Sequence, residues 1–204
     1  MYPPRVSVLA CEVGLKSGYS IDRVCKDTVT GRSWDLTQPR DQSQLWGLIR
    51  RRPSRLLMLS PPRTTFSSLH NLRRTEMPEE VKTEGLELLR VAVKACRMQM
   101  RSGGLFFFEH PAGATSWKEP CLMELRETSG VQTLVIDQCM YGLQSQDREG
   151  IAPVRKTTRI LTNVRGAERY LSNRCDHSHR HVELLNNQAK AAQIYPPRNC
   201  VYHF

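Results

Sequence analysis

The 204-residue sequence contains no apolar stretch approaching the roughly 20 residues that cross a bilayer, and no hydrophobic segment of signal-peptide type follows the opening Met-Tyr-Pro-Pro-Arg. These absences predict an intracellular protein, with the nucleus left open as its compartment and secretion excluded. Seven cysteines, at positions 11, 25, 96, 121, 139, 175 and 200, form no CxxC pair and no even disulfide framework, which predicts reduced thiols. Internal repeats and low-complexity tracts are missing too, which excludes a repeat array. Hydrophobic residues at 39% and charged residues at 25% fit a globular chain better than a disordered or membrane one.

What is present points to one compact domain with a small appendage, long enough to bury about two-thirds of its unfolded surface. We divide it into an α/β domain over residues 1–165 and a small irregular Cys/His-containing extension over 166–204. The charge balance is one-sided, with 30 Lys and Arg against 20 Asp and Glu, a net +10. Such an excess draws polyanions, and nucleic acid is the natural partner, although a basic solubility surface has the same composition. Arg50, Arg51 and Arg52 show the ambiguity, because cations also suit the negative end of a helix dipole.

Apolar runs alternate with helical periodicity along the chain. Residues 6–10 read as a short strand. Over 41–51, Leu45, Leu48 and Ile49 share one helical face between Pro39 and Pro53. Residues 55–60 read as a buried strand stopped by Pro61 and Pro62. Pro78, Glu79 and Glu80 form the first turn of a long helix whose inner face carries Val81, Gly85, Leu88, Ala92, Ala95 and Gln99, and Gly103-Gly104 ends it. Strands follow at 105–108 and 131–136, with a shorter helix from Pro120 between them. The order βαβαβαβ predicts a mostly parallel sheet of Rossmann-like type with helices on both faces, and ligands beyond the carboxyl ends of its strands.

Those carboxyl ends carry Ser60-Pro61-Pro62-Arg63, Glu109-His110-Pro111 and Asp137-Gln138-Cys139. The first, continuing through Thr64-Thr65-Phe66-Ser67, resembles the catalytic loop of cytosine-5 DNA methyltransferases, which reads Pro-Pro-Cys before a Phe-Ser segment. Here Arg63 stands in the cysteine's place. Phe108-Glu109-His110-Pro111 is similar to the Glu-Asn-Val or Glu-Asn-Pro motif of that family. Downstream, Cys139-Met140-Tyr141-Gly142 and Arg155-Lys156-Thr157-Thr158-Arg159-Ile160-Leu161-Thr162-Asn163 look like a segment of phage-type and retrotransposon-borne relatives, with Thr157 replacing the usual proline. The likeness covers roughly residues 5–200.

The resemblance implies the fold of enzymes that use S-adenosylmethionine (SAM), with that cofactor held by Gly14, Asp22, Asp35, Ser60 and Pro61. The front part departs from the family, because its Phe-x-Gly-x-Gly loop is absent. Asp22 and Asp35 also read as turn or capping aspartates. The resemblance further implies a site built from Pro62, Glu109 and Arg159. In the family a thiolate adds to cytosine C6 while an acid at N3 stabilises the developing charge, and the base leaves the stack to reach the pocket. Glu109 takes the acid's place, or is a structural carboxylate; Arg159 contacts base or phosphate, or is a solvated strand-edge arginine.

Arg63 decides the activity. A guanidinium stays protonated and offers no lone pair, so it cannot replace the thiolate. Ser60, Thr64 and Ser67 are nearby hydroxyls with no base marked to activate them. An inactive or impaired methyltransferase-like protein that retains SAM or DNA binding is therefore expected. Only about forty residues follow Arg159, which leaves little room for sequence reading in the major groove.

The tail Cys175-Asp176-His177-Ser178-His179-Arg180-His181 and the later Cys200 offer a zinc site built from Cys175, His177, His179 and Cys200, with Cys139 a further thiolate. The spacing matches no standard ligand pattern, and a His-rich surface turn has the same composition. The alternative function is a zinc-stabilised nucleic-acid-binding module from a mobile element, without methyl transfer.

Overall fold

The computed structural model describes residues 10–12, 14, 16, 18–27, 29–51, 54–67 and 77–183. The strand expected over 6–10 lies outside them except for Ala10, which stands in helical backbone. In chain order the elements are α1 (Pro39–Arg51), β1 (Leu56–Leu59), α2 (Glu79–Arg101), β2 (Leu105–Pro111), α3 (Pro120–Arg126), β3 (Gln132–Asp137), β4 (Gln144–Asp147), β5 (Gly150–Pro153) and β6 (Thr157–Thr162). Among the described residues no helix is long and apolar enough to cross a membrane.

α2 forms where Pro78 precedes the first turn and Glu79 and Glu80 face the positive dipole end. Its buried face runs through Gly85, Leu89, Ala92, Cys96 and Gln99; Val81, placed on the inner face by periodicity, is 41% exposed. Gln99 closes the C-terminal end. Its Nε2 donates to Ser54 O at 2.5 Å and to Leu105 O at 3.2 Å, which ties the helix to the chain just ahead of β1 and to the first residue of β2.

The expected mostly parallel sheet with helices on both faces is wrong. The main sheet has the order β1-β2-β6-β3, and β4 and β5 form a separate antiparallel hairpin. Among the described residues only β1 and β2 run parallel, in the register Leu56↔Leu105 to Leu59↔Phe108. β6 runs against β2, since Thr162 Oγ1 donates to Phe106 O and Asn163 brackets the start of β2. It also runs against β3: Gln132 Nε2 donates to Val164 O, whereas Gln138 N donates to Lys156 O. The physical reason is the connection. A parallel return needs a crossover of a dozen or more residues, usually helical. α2 supplies one between β1 and β2, but after β3 the chain spends its length on a turn and a hairpin, then comes straight back as β6.

The described residues fall into two compact units. One is drawn from Asp35–Leu134 and Arg159–Arg165, the other from Met1–Trp34, Val135–Thr158 and Gly166–Phe204. The core of the first is Phe66, Leu89, Val93, Cys96, Phe106, Phe108, Trp117, Leu122, Leu125 and Leu161 with their neighbours. The second has a smaller cluster of Leu143, Ala152, Val154 and Val182.

Candidate functional sites at the strand ends and in a cysteine-histidine cluster

In the unit of α2, parallel pairing carries Ser60 and Glu109 out of register-matched strands, one residue beyond Leu59↔Phe108. Ser60 Oγ donates to Glu109 Oε2 at 2.6 Å. The two loops singled out in sequence therefore meet at neighbouring strand tips. A carboxylate also stands beside a hydroxyl for which the sequence marked no base. The bond ties the two loops together at the strand tips.

Arg63 precedes a 3-10 turn, Thr64–Phe66, whose Phe66 N donates back to Arg63 O at 3.0 Å. Phe66 is buried and meets His110 edge-on at 5.8 Å between ring centroids. His110 is 1% exposed, and its Nδ1 lies 2.7 Å from Ser116 Oγ. Pro62 is exposed, while Pro61 and Arg63 are half-buried. The loop approaches α2 closely, since a Cβ added at Gly85 would lie 2.2 Å from Thr65 Oγ1. Arg159 stacks its guanidinium 5.0 Å from the centre of the Trp117 ring, with Trp117 Nε1 donating to Pro111 O at 2.7 Å. The Arg159 Nε is buried and has no hydrogen-bond partner among the described residues. Trp117 was not among the expected site residues, although its place shortly after the Glu109 motif was a usable signal.

Two of the residues expected to hold SAM bond within their own turns. Asp22 Oδ1 accepts from Val24 N at 2.6 Å and Cys25 N at 2.7 Å, and Asp35 Oδ1 accepts from Thr37 N at 3.0 Å and Thr37 Oγ1 at 2.7 Å. Both carboxylates cap their own turns. Gly14, at φ +78°, sits in a turn whose N–H donates to Cys11 O, and its positive φ explains the glycine.

The other unit holds a different cluster. Cys139, from the 3-10 turn that follows β3, meets Cys175, His179 and His181 so that one ligand atom from each lies within 4.8 Å of the others. Cys175 Sγ is 3.3 Å from His181 Nε2 and 3.7 Å from His179 Nε2. Two sulfurs and two imidazole nitrogens could hold a metal ion. Bond lengths of about 2.0–2.3 Å to a tetrahedral ion put ligand atoms roughly 3.3–3.8 Å apart, so a contraction of about 1 Å closes the site. Burial and the neighbouring Cys175 push the Cys139 thiol up to about 11, a barrier that a bound cation reverses. Burial and the facing His179, His177 and Arg155 hold His181 below its ordinary value, which favours the neutral, ligating imidazole.

This set shares Cys175 and His179 with the expected one. His177 stands outside the set: its ring lies 3.1 Å from Arg155 Nη1, and its backbone N–H donates to Cys175 Sγ at 3.3 Å. That geometry places His177 at φ +64°, the sole positive φ outside glycine among the described residues. Cys200 lies outside the described residues. His181 takes a ligand place instead, and Cys139 is the second thiol. No family model matches the chain, no curated protein matches it and no solved structure matches it.

Proposed function

We propose that this chain is a nucleic-acid-binding protein of the cytosine-5 DNA methyltransferase kind that no longer transfers methyl groups. The carrying observation is the 2.6 Å bond from Ser60 to Glu109 at the tips of two parallel strands, where the resemblance needs the Pro-Pro loop and its acid to meet. Arg63 supplies no lone pair for addition to C6. The excess of ten positive charges supports a phosphate backbone as partner, DNA before RNA.

The test is binding of single-stranded DNA with and without cytosine, across a salt series. Expected are a steep loss of affinity with salt and a preference for cytosine that Glu109→Gln abolishes. Affinity indifferent to cytosine in the native chain sinks the reading. Calorimetry with SAM separates a retained cofactor site, which gives saturable heat, from a scaffold, which gives none.

A second reading is favoured by a specific observation, the convergence of Cys139, Cys175, His179 and His181. We propose zinc as its ion, because two thiolates and two imidazoles form a closed tetrahedral set that leaves no position for substrate. The chain is on this reading a zinc-stabilised nucleic-acid-binding module. Elemental analysis should find about one zinc per chain, lost in Cys175→Ser; zinc well below one per chain refutes it.

A further inference from the structure

We infer that Asp137 is the positioning residue of the metal centre, gripping from one carboxylate both strands of chain that deliver its sulfurs. The inference rests on the zinc reading and goes beyond its four ligands. Asp137 ends β3 two residues before Cys139, so the Cys139 turn grows directly from it. Its Oδ2 accepts from Cys175 N at 2.9 Å, which fixes the backbone that carries the second sulfur. The same oxygen accepts from Arg174 Nε at 2.8 Å, while Oδ1 accepts from Thr157 Oγ1 and lies 3.7 Å from Arg155 Nε. The backbone closes the loop, with Asp137 N donating to Asn173 O at 3.1 Å.

Such an arrangement is excessive for a plain core position. The side chain is 2% exposed, yet it holds a full set of charge-assisted partners. Residues 172–183 have no regular secondary structure to set their path, and the Cys175 segment must nevertheless bring its sulfur to the Cys139 turn. A carboxylate anchored next to one ligand and bonded to the backbone of another does that before the ion arrives. Partners of this outer kind are worth about 10–100-fold in metal affinity. Arg155 extends the grip, since its Nη1 meets the ring of His177, whose N–H serves Cys175 Sγ.

The experiment measures zinc affinity of the full chain by competition with a chromophoric chelator, and records the visible spectrum of the cobalt(II)-loaded protein. Asp137→Asn should bind zinc about 10–100-fold more weakly with displaced cobalt bands, at an unchanged one ion per chain. Tyr141→Phe is the structural control. Its hydroxyl donates to Tyr170 O and accepts from Asn173 N, holding the same segment without touching a ligand, and it should keep near-native affinity and spectrum. Native affinity in Asp137→Asn, or an equal loss in Tyr141→Phe, overturns the inference. If Asp137→Asn does not fold, Asp137→Glu keeps the charge and shifts the carboxylate by one methylene. It should show the same displaced bands, and native bands overturn the inference. A native chain that takes up neither zinc nor cobalt refutes the zinc reading itself.

Discussion

Replacing Gly85 by alanine tests how firmly the Pro61-Pro62-Arg63 loop is pressed on α2. In an open helix interior the change stabilises by about 1 kcal/mol, because alanine loses less backbone entropy. Here the new methyl would lie 2.2 Å from Thr65 Oγ1, 2.6 Å from its Cβ and 2.7 Å from its Cγ2. Ordinary carbon contacts are about 3.5–4.0 Å, so loop and helix must part by about 1 Å. The Thr65 Cβ is fixed by the backbone, so no side-chain rotation relieves the clash. Overpacking of this kind costs about 1–3 kcal/mol, and against the helix gain of about 1 kcal/mol the net expectation is a loss of up to about 2 kcal/mol. In a Thr65→Gly background the clash disappears and the same substitution should stabilise. Urea unfolding of the four proteins in the cycle measures the coupling, expected at about 1–3 kcal/mol. Additive changes, or a Gly85→Ala protein more stable than the native one, would refute the close approach.

Three further perturbations probe other parts of the molecule. Asn163 donates from Nδ2 to Gly104 O at 3.0 Å and accepts from Phe106 N at 2.8 Å, so Asn163→Leu strands two backbone groups and should cost about 2–4 kcal/mol in denaturant unfolding. Leu89, fully buried at the centre of the α2 face, should lose about 2–5 kcal/mol on truncation to alanine, and a loss below 1 kcal/mol would contradict its packing. Burial raises the Asp27 carboxyl, but bonds from the Thr30 hydroxyl and the amides of Ser20 and Thr30 outweigh it and hold the group below 3.8. A depressed folded value gives stability that is present above pH 3.8 and lost as pH falls through that lower value. Acid unfolding curves of native and Asp27→Asn proteins should therefore converge as the pH is lowered; parallel curves would exclude the contribution.

The helices α1, α2 and α3 and the strands β1, β2 and β3 were legible in the sequence because their signals are local. Apolar periodicity, Pro78 with two acids, and Gly103-Gly104 need no distant partner to act. The hairpin was not legible. Gln144–Asp147 is a wholly polar strand without alternation, and its turn is set by Gly150 at φ +110°. β6 was read as a motif and not as a strand, although Thr158, Ile160, Leu161 and Thr162 are all buried. With that strand missing, the remaining order suggested parallel neighbours that the chain never makes.

The same division runs through the candidate sites. By itself the sequence determined which groups exist: a carboxylate after one apolar strand, a Pro-Pro turn followed by an arginine after another, and a tail rich in cysteine and histidine. Tertiary structure decided which of them meet. Ser60 reaches Glu109 because parallel pairing holds both strand ends in register, and Cys139 reaches His181 because Asp137 holds the distant Cys175 segment beside its own turn. Spacing along a chain reports only neighbours within a turn or two, whereas convergence depends on where the backbone reverses and what closes the loop, and those are long-range hydrogen bonds.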